Sequence, residues 1–277
     1  ADRLRTRYHV SWFEQDSGVT YAIEFFILKD EAMLLIDTSG MALHKRGYRP
    51  MAGVAPLRET LAAAMALTAR PRPDVLFWDP FCGSGTIAIE TAMILTQRAP
   101  GLNRSFAGER FARLPQELWN KARDDARGRI LTDATCEVWA SDIDEDMLDL
   151  TYDNALHAGV EDCLNIFQAD ARTIEKPDRR GTILCNPPYG ERLMTPEQVE
   201  SLYRDMGRHF ATFEPWQIYI LTSHASFERL YGRRADKVRK LSNGMIPCSL
   251  YQFFRPAVAG GQHSYQKEKA HGTQKKK

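Results

Sequence analysis

No apolar run in this 277-residue chain approaches the length of a bilayer span, and no signal peptide opens it, so a cytoplasmic protein is expected. The histidines lack any metal-ligand spacing, and no metal is assigned. The five cysteines (Cys82, Cys136, Cys163, Cys185 and Cys248) contain no Cys-x-x-Cys pair, which leaves neither a zinc nor a dithiol motif and predicts reduced, interior thiols. An excess of one charge sign is missing too. With 37 basic and 36 acidic side chains the net charge is +1, so any nucleic-acid contact must come from local patches. What remains, 43% hydrophobic and 26% charged, is enough for one large domain with an appendage.

The chain starts at Ala1 in charged sequence, and a piece of something longer is expected. Residues 1–43 hold two strand-like runs, 20–28 and 32–37, joined by a turn at 29–31. A lone hairpin is marginal in water, so this one needs a partner surface. A basic linker and an Ala/Leu-rich helix over 57–70 fill residues 44–73. From 74 to 257 strands alternate with helices, the signature of a mainly parallel sheet covered on both faces, and thus of an α/β, Rossmann-like fold. Strands are predicted near 75–79, 136–141, 164–168, 181–185, 217–222, 237–242 and 248–254, with helices near 85–97, 145–158, 196–212 and 225–231. Asn243-Gly244 predicts that the last two strands form an antiparallel hairpin, completing seven strands. Residues 98–135 read as a partly helical insertion, and 258–277 as a disordered basic tail.

After the first strand of this unit, Asp79-Pro80-Phe81-Cys82-Gly83-Ser84-Gly85-Thr86 forms a glycine turn that opens a helix. A dinucleotide pyrophosphate wants amides and no nearby carboxylate, whereas the ammonium of a methionine moiety wants an anion such as Asp79. The turn also lacks the Gly-x-Gly-x-x-Gly pattern and the P-loop lysine, which favours S-adenosylmethionine over NAD or ATP. Asp142 ends the next strand, where ribose hydroxyls are gripped; its distance from Asp79 is 142 − 79 = 63 residues rather than about 20, the excess being the insertion. Asp144 and Asp146 are alternatives that read more simply as helix-start residues. Asp170 offers an acceptor for the adenine amine, or is an ordinary solvated turn.

The last signal is Asn186-Pro187-Pro188-Tyr189, following the apolar run 181–185. An exocyclic amine on a base is a poor nucleophile because its lone pair is delocalised into the ring. Acceptors on the Asn186 side chain and the Pro187 carbonyl can redirect that lone pair toward a methyl electrophile, while Tyr189 stacks on the flipped base. The two prolines stiffen the turn. A merely rigid turn after a strand is the competing reading. Cys185 lies inside the strand and should point away, which argues against a covalent cysteine intermediate and for direct in-line transfer.

With these residues assembled, the chain resembles the RlmKL-type family of THUMP-associated, Rossmann-like ribosomal RNA methyltransferases. The resemblance runs from about residue 20 to 255 and rests on 37–49, 55–60, 79–90, 99–106, 186–193 and 241–246. It implies methylation of guanine N2 in 23S rRNA with S-adenosylmethionine. It places Leu57, Asp79, Phe81, Cys82, Gly83 and Gly85 around the methionine end, and Asp142 and Ile143 on ribose and adenine. Asp170 and Ala171 fall at the adenine amine, Asn186 beside both cofactor and base, and Asn186 to Tyr189 on guanine. It also implies that 1–43 is part of a THUMP-like segment. Adenine-N6 methylation of DNA or RNA stays open as an alternative, as does a non-catalytic RNA-binding or assembly factor.

Arg46, Arg49, Arg104, Arg113, Arg233, Arg234, Lys237, Arg239 and Lys240 are candidate phosphate ligands or plain solvated surface. Phe25, Phe26, Trp78 and Trp139 read as core. Glu191 and Arg192 follow the turn as possible substrate contacts or a local ion pair.

Overall fold

The computed structural model describes residues 2–9, 19–49, 57–134, 136–189 and 194–254. Glu191, Arg192 and the tail expected to be disordered lie outside them. A short helix α1 (Asp2–Tyr8) precedes the hairpin β1 (Ala22–Leu28) and β2 (Glu31–Asp37), closed by Lys29-Asp30 with positive φ at both residues. That two-residue turn matches the twist of the strands it joins. Phe25 and Phe26 are 71% and 47% exposed rather than buried as expected, because β1 and β2 pair only with each other among the described residues.

Helix α2 (Glu59–Ala69) leads into the sheet, whose strands are β3 (Leu76–Asp79), β4 (Val138–Asp142), β5 (Leu164–Gln168), β6 (Gly181–Cys185), β7 (Gln217–Thr222), β8 (Lys237–Asn243) and β9 (Ile246–Phe253). Their order is β5-β4-β3-β6-β7-β9-β8, parallel except for β9. Between them run α3 (Thr86–Leu95), α4 (Gln116–Arg127) in the insertion, α5 (Glu145–Ala158), α6 (Pro196–Phe210) and α7 (Phe227–Tyr231). No helix among the described residues is long and apolar enough to cross a membrane.

Period-two alternation splits each strand between two cores. Phe77 and Leu184 face the layer of α2, α3 and α5, with Met65, Ile89 and Ala155. Trp78, Ile183 and Cys185 face α6 and α7, with Met206, Phe210 and Phe227. Cys136 and Cys163 are bridged, with Cα atoms 5.5 Å apart, which corrects the expectation of five reduced thiols. The reason lies in the sheet, since Val138 pairs with Leu164 and so brings the two preceding cysteines side by side.

The connector before α2 is bound to the domain by charge, and this replaces both readings, phosphate ligand or solvated surface, for Arg46, Arg49 and Arg104. Arg104, 7% exposed, donates to the carbonyls of Ser39, Met41, Ala42 and Lys45. Arg46 and the Tyr48 hydroxyl both reach buried Glu90, and Arg49 pairs with buried Glu59 while donating to Thr86 at 2.6 Å. Interior carboxylates and carbonyls outcompete solvent for these guanidinium groups because each is otherwise buried without a partner. Arg104→Ala is therefore expected to cost about 3 kcal/mol of stability in a urea melt, from the lost charge-assisted hydrogen bonds. Unchanged stability with weakened RNA binding would restore the phosphate-ligand reading.

Candidate active site

The sheet reverses its winding between β3 and β6, and in open α/β sheets ligands bind outside the carboxyl ends of the strands at that point. Two site residues meet there. Asp79 ends β3, and Asn186 follows β6, the strand paired directly with β3. Asp79 is 1% exposed; its Oδ1 accepts from the Phe81 amide at 3.2 Å, while Oδ2 has no partner. Asn186 Oδ1 is likewise buried and without a partner. A buried acceptor left unmade costs about 1–3 kcal/mol, and here two are left open at neighbouring strand ends. Burial above all, with the Asp142 charge adding, pushes the Asp79 carboxyl well above its usual range.

The glycine turn is shaped by its neighbours. Gly83 has φ +49 with open space where a Cβ would sit, and its amide donates to Asp142 Oδ2 at 2.9 Å. Gly85 has φ +79, and a Cβ there would lie 2.7 Å from Thr151. Thr151 and Asn154, one helical turn apart on α5, hold the carbonyls of Gly83 (2.7 Å) and Ser84 (3.0 Å). Neither was anticipated. The available signal was a pair of polar residues three apart on an otherwise apolar helix face, which calls for a buried partner.

Asp142 sits at the end of β4, its second oxygen accepting from the Asp144 amide; Asp144 in turn caps α5 through the Asp146 amide, which is the helix-start role expected of it. Ile143 is 61% exposed at that strand end, an apolar surface open to a ring. Leu57, Cys82 and Ala171 are buried, and Phe81 is half-buried. Burial raises the Cys82 thiol. Asp170 is engaged by Arg172, whose Nε and Nη2 reach both carboxylate oxygens, and this hydrogen bonding holds the carboxyl below its ordinary value.

At the turn itself, the Pro188 carbonyl accepts from the Tyr203 hydroxyl at 3.0 Å, and Tyr203 is tied to Thr222 on β7 at 2.8 Å. Tyr189 is half-buried against the core, with its hydroxyl 3.4 Å from Asn243 Nδ2 and 3.8 Å from Cys248 Sγ. It is thus latched to the β8–β9 hairpin at one end. Burial, with Cys248 adding, pushes its phenol up to about 12, so it stays protonated and supplies no base. Cys185 is fully buried, and burial raises its thiol, which leaves no thiolate at the turn. A groove of about 480 Å³ opens beside Thr222, Ser223, His224, Lys240 and Cys248. Arg233 pairs with Glu214 and Asp236, while Arg113, Arg234, Lys237, Arg239 and Lys240 are exposed. No cluster of metal-ligating side chains occurs among the described residues.

Residues 46–252 match the family described as UPF0020, RMKL-like, methyltransferase domain. The candidate RNA methyltransferase YpsC of Bacillus subtilis is 44% identical over 243 residues, covering 88% of this chain and 63% of the relative. Ribosomal RNA large subunit methyltransferase K/L of Shewanella sediminis is 38% identical, covering 83% of this chain and 33% of its own length. The crystal structure of SMU.472 complexed with SAH, the demethylated product of S-adenosylmethionine, superimposes with a TM-score of 0.83 at 38% identity, over 92% of this chain and 68% of that one. This chain therefore spans 63% of the Bacillus relative and a third of the Shewanella enzyme. S-adenosylmethionine is the methyl donor of such domains, and the cleft fits it: an orphaned carboxylate oxygen for the ammonium, a glycine with open space at its Cβ, and a second carboxylate one strand away. The chain belongs to the family of RMKL-like methyltransferase domains.

Proposed function

We propose that the chain methylates the exocyclic N2 amine of a guanine in 23S rRNA, using S-adenosylmethionine bound by Asp79, the turn 81–85, Asp142, Ile143, Asp170 and Ala171. One observation carries this reading: the unpartnered Asn186 Oδ1 stands one strand away from the unpartnered Asp79 oxygen. The first is an acceptor for an amine, and the second is a counter-charge for the donor that methylates it. S-adenosylmethionine supplies an electrophilic methyl on a sulfonium. Asn186 would accept an N–H of the guanine amine and turn its lone pair toward the methyl that bound S-adenosylmethionine would supply, with the neutral thioether as leaving group and the amine proton passing to water. Neither Tyr189 nor Cys185 takes that proton, since burial keeps both protonated.

The Tyr203 hydroxyl on the Pro188 carbonyl and the Asn243 amide on Tyr189 keep the turn in place, and the groove by His224 gives the flipped base and its neighbour room. Leu57 backs the methionine end, and residues 1–43 are read as part of a THUMP-like segment. Asn186 serves either amine; the large-subunit relatives support ribosomal RNA as the substrate, and guanine follows from the family resemblance alone. The test is methylation of protein-free large-subunit RNA with labelled donor, followed by mapping of the modified base. N2-methylguanine is expected, and product at adenine N6 would replace this reading with the other.

A further inference from the structure

A second site lies at the opposite rim of the sheet. There the starts of β3, β6, β7 and β8 and the end of β9 surround a groove of about 900 Å³. The four residue steps from Gly181 to Cys185 put it roughly 13 Å from the methyl-transfer rim. Arg70 enters it from the end of α2, Lys176, Arg179 and Arg180 from the segment before β6, and Lys237 and Arg239 from β8. With Arg72 the lining has seven cations against one carboxylate, Asp178, in a chain whose net charge is +1. Arg72 and Arg180 share Asp74 at 3.9 Å, and Arg179 holds Glu137. Among the described residues, no carboxylate stands within ion-pair distance of Arg70, Lys237 or Arg239.

A solvated surface or an edge strand kept apart by lysines would account for some of this charge. It does not account for Gln252. This side chain is 4% exposed, lines the groove, and has an Nε2 with no partner. In register it lies between Tyr219 of β7 and Lys237 of β8, at the floor of the cationic wall. A buried amide donor beneath unpaired cations calls for an acceptor-only, anionic ligand, and phosphate oxygens are that ligand. Trp216 and Tyr219 also line the groove, and Phe254, 38% exposed, stands at its margin. Trp216 and Tyr219 are only 5% and 6% exposed, so Phe254 is the exposed ring among the three. One such ring beside cations spread over a groove of this size suits a nucleotide strand better than an inorganic ion.

We propose that this groove is a second RNA-contact site, holding backbone phosphates of the strand whose base enters the methyl-transfer site. The proposal rests on RNA being the substrate. The groove makes the rim opposite the chemistry an electrostatic anchor, so the enzyme grips RNA at two places on one rigid sheet.

The test uses the full chain and a labelled single-stranded RNA of roughly 16 nucleotides, read by fluorescence anisotropy across a salt series. The double variant Lys237→Glu, Arg239→Glu keeps the exposed edge charged and disturbs no described contact. It is expected to weaken binding at least tenfold and to flatten the salt slope by about 1.4, two phosphate contacts at 0.7 each. Gln252→Leu, which keeps the volume and removes the donor, should weaken binding in the same direction with the slope unchanged. S-adenosylmethionine affinity by calorimetry should stay as in the wild type for both. Wild-type affinity and slope in the double variant would overturn the proposal, as would inorganic tripolyphosphate binding the groove more tightly than RNA does. If RNA binds through the groove but receives no methyl group, the functional reading fails and this site stands.

Discussion

Asp79→Asn is expected to weaken S-adenosylmethionine binding roughly 100-fold, about 3 kcal/mol, without lowering the melting temperature of the ligand-free protein. The two halves of this result come from one atom. Asp79 Oδ2 is buried without a partner, so its charge is a burden on the free fold and an asset only once a cation faces it. The sign can be worked through. A carboxyl whose folded pKa lies above its ordinary value of 3.8 gives stability that is full below that value and is lost as pH rises through the raised folded one. In the ligand-free protein that stability therefore declines as pH rises above 3.8. Asparagine keeps an oxygen for the Phe81 amide and removes the charge, so stability should hold or rise, the usual trade at a site built for a ligand.

The same linkage fixes the pH dependence of binding. An ammonium beside Asp79 favours the ionised form, so binding releases a proton, and affinity should climb with pH, up to tenfold per unit, until the raised pKa is passed. In Asp79→Asn that climb should vanish. Calorimetry in buffers of different ionisation enthalpy measures the proton directly. A variant that loses stability along with affinity, or a wild type whose affinity is flat with pH, would mean that Asp79 is a structural carboxylate.

How much of this was legible in the sequence depends on how local the cause was. The strands of the sheet are readable because each is an apolar run closed by a turn, and the acidic strand ends because a carboxylate after such a run has few other uses. The β8–β9 turn falls at Gly244-Met245, one residue beyond the expected pair, because Asn243 still pairs with Ile246 and uses its side chain on Tyr189. That contact spans 54 residues and has no local trace. The fate of the arginines was equally hidden. Arg46, Arg49 and Arg104 look like surface charge until Glu90, Glu59 and four connector carbonyls are folded against them, and the Cys136–Cys163 contact exists only because β4 and β5 pair in one register. Tyr203 could not have been singled out either, since helix periodicity places it in the core and only its hydroxyl, at the Pro188 carbonyl, ties it to the turn.

Asn186→Ala is expected to lower kcat about 10²- to 10³-fold, the scale of losing one well-aimed polar group that orients a reacting centre. Cofactor affinity should change little if, as proposed, the methionine ammonium and ribose are held by Asp79 on β3 and Asp142 on β4. Stability should not fall, since the substitution deletes an acceptor that the free fold leaves unsatisfied. This combination separates a lone-pair acceptor from a turn-forming residue. A structural asparagine would lose stability first and rate second, whereas here the stiffness of the turn resides in Pro187, Pro188 and the Tyr203 contact, all of which the substitution leaves intact. Asn186→Asp keeps acceptor oxygens at the same reach and should retain part of the rate, more of it as pH rises and the buried carboxyl ionises. Single-turnover rates measured across that pH range decide the matter. An alanine variant with wild-type kcat, or an aspartate variant no faster than alanine at any pH, would remove Asn186 from the chemistry and leave Asn186-Pro187-Pro188-Tyr189 as a rigid turn.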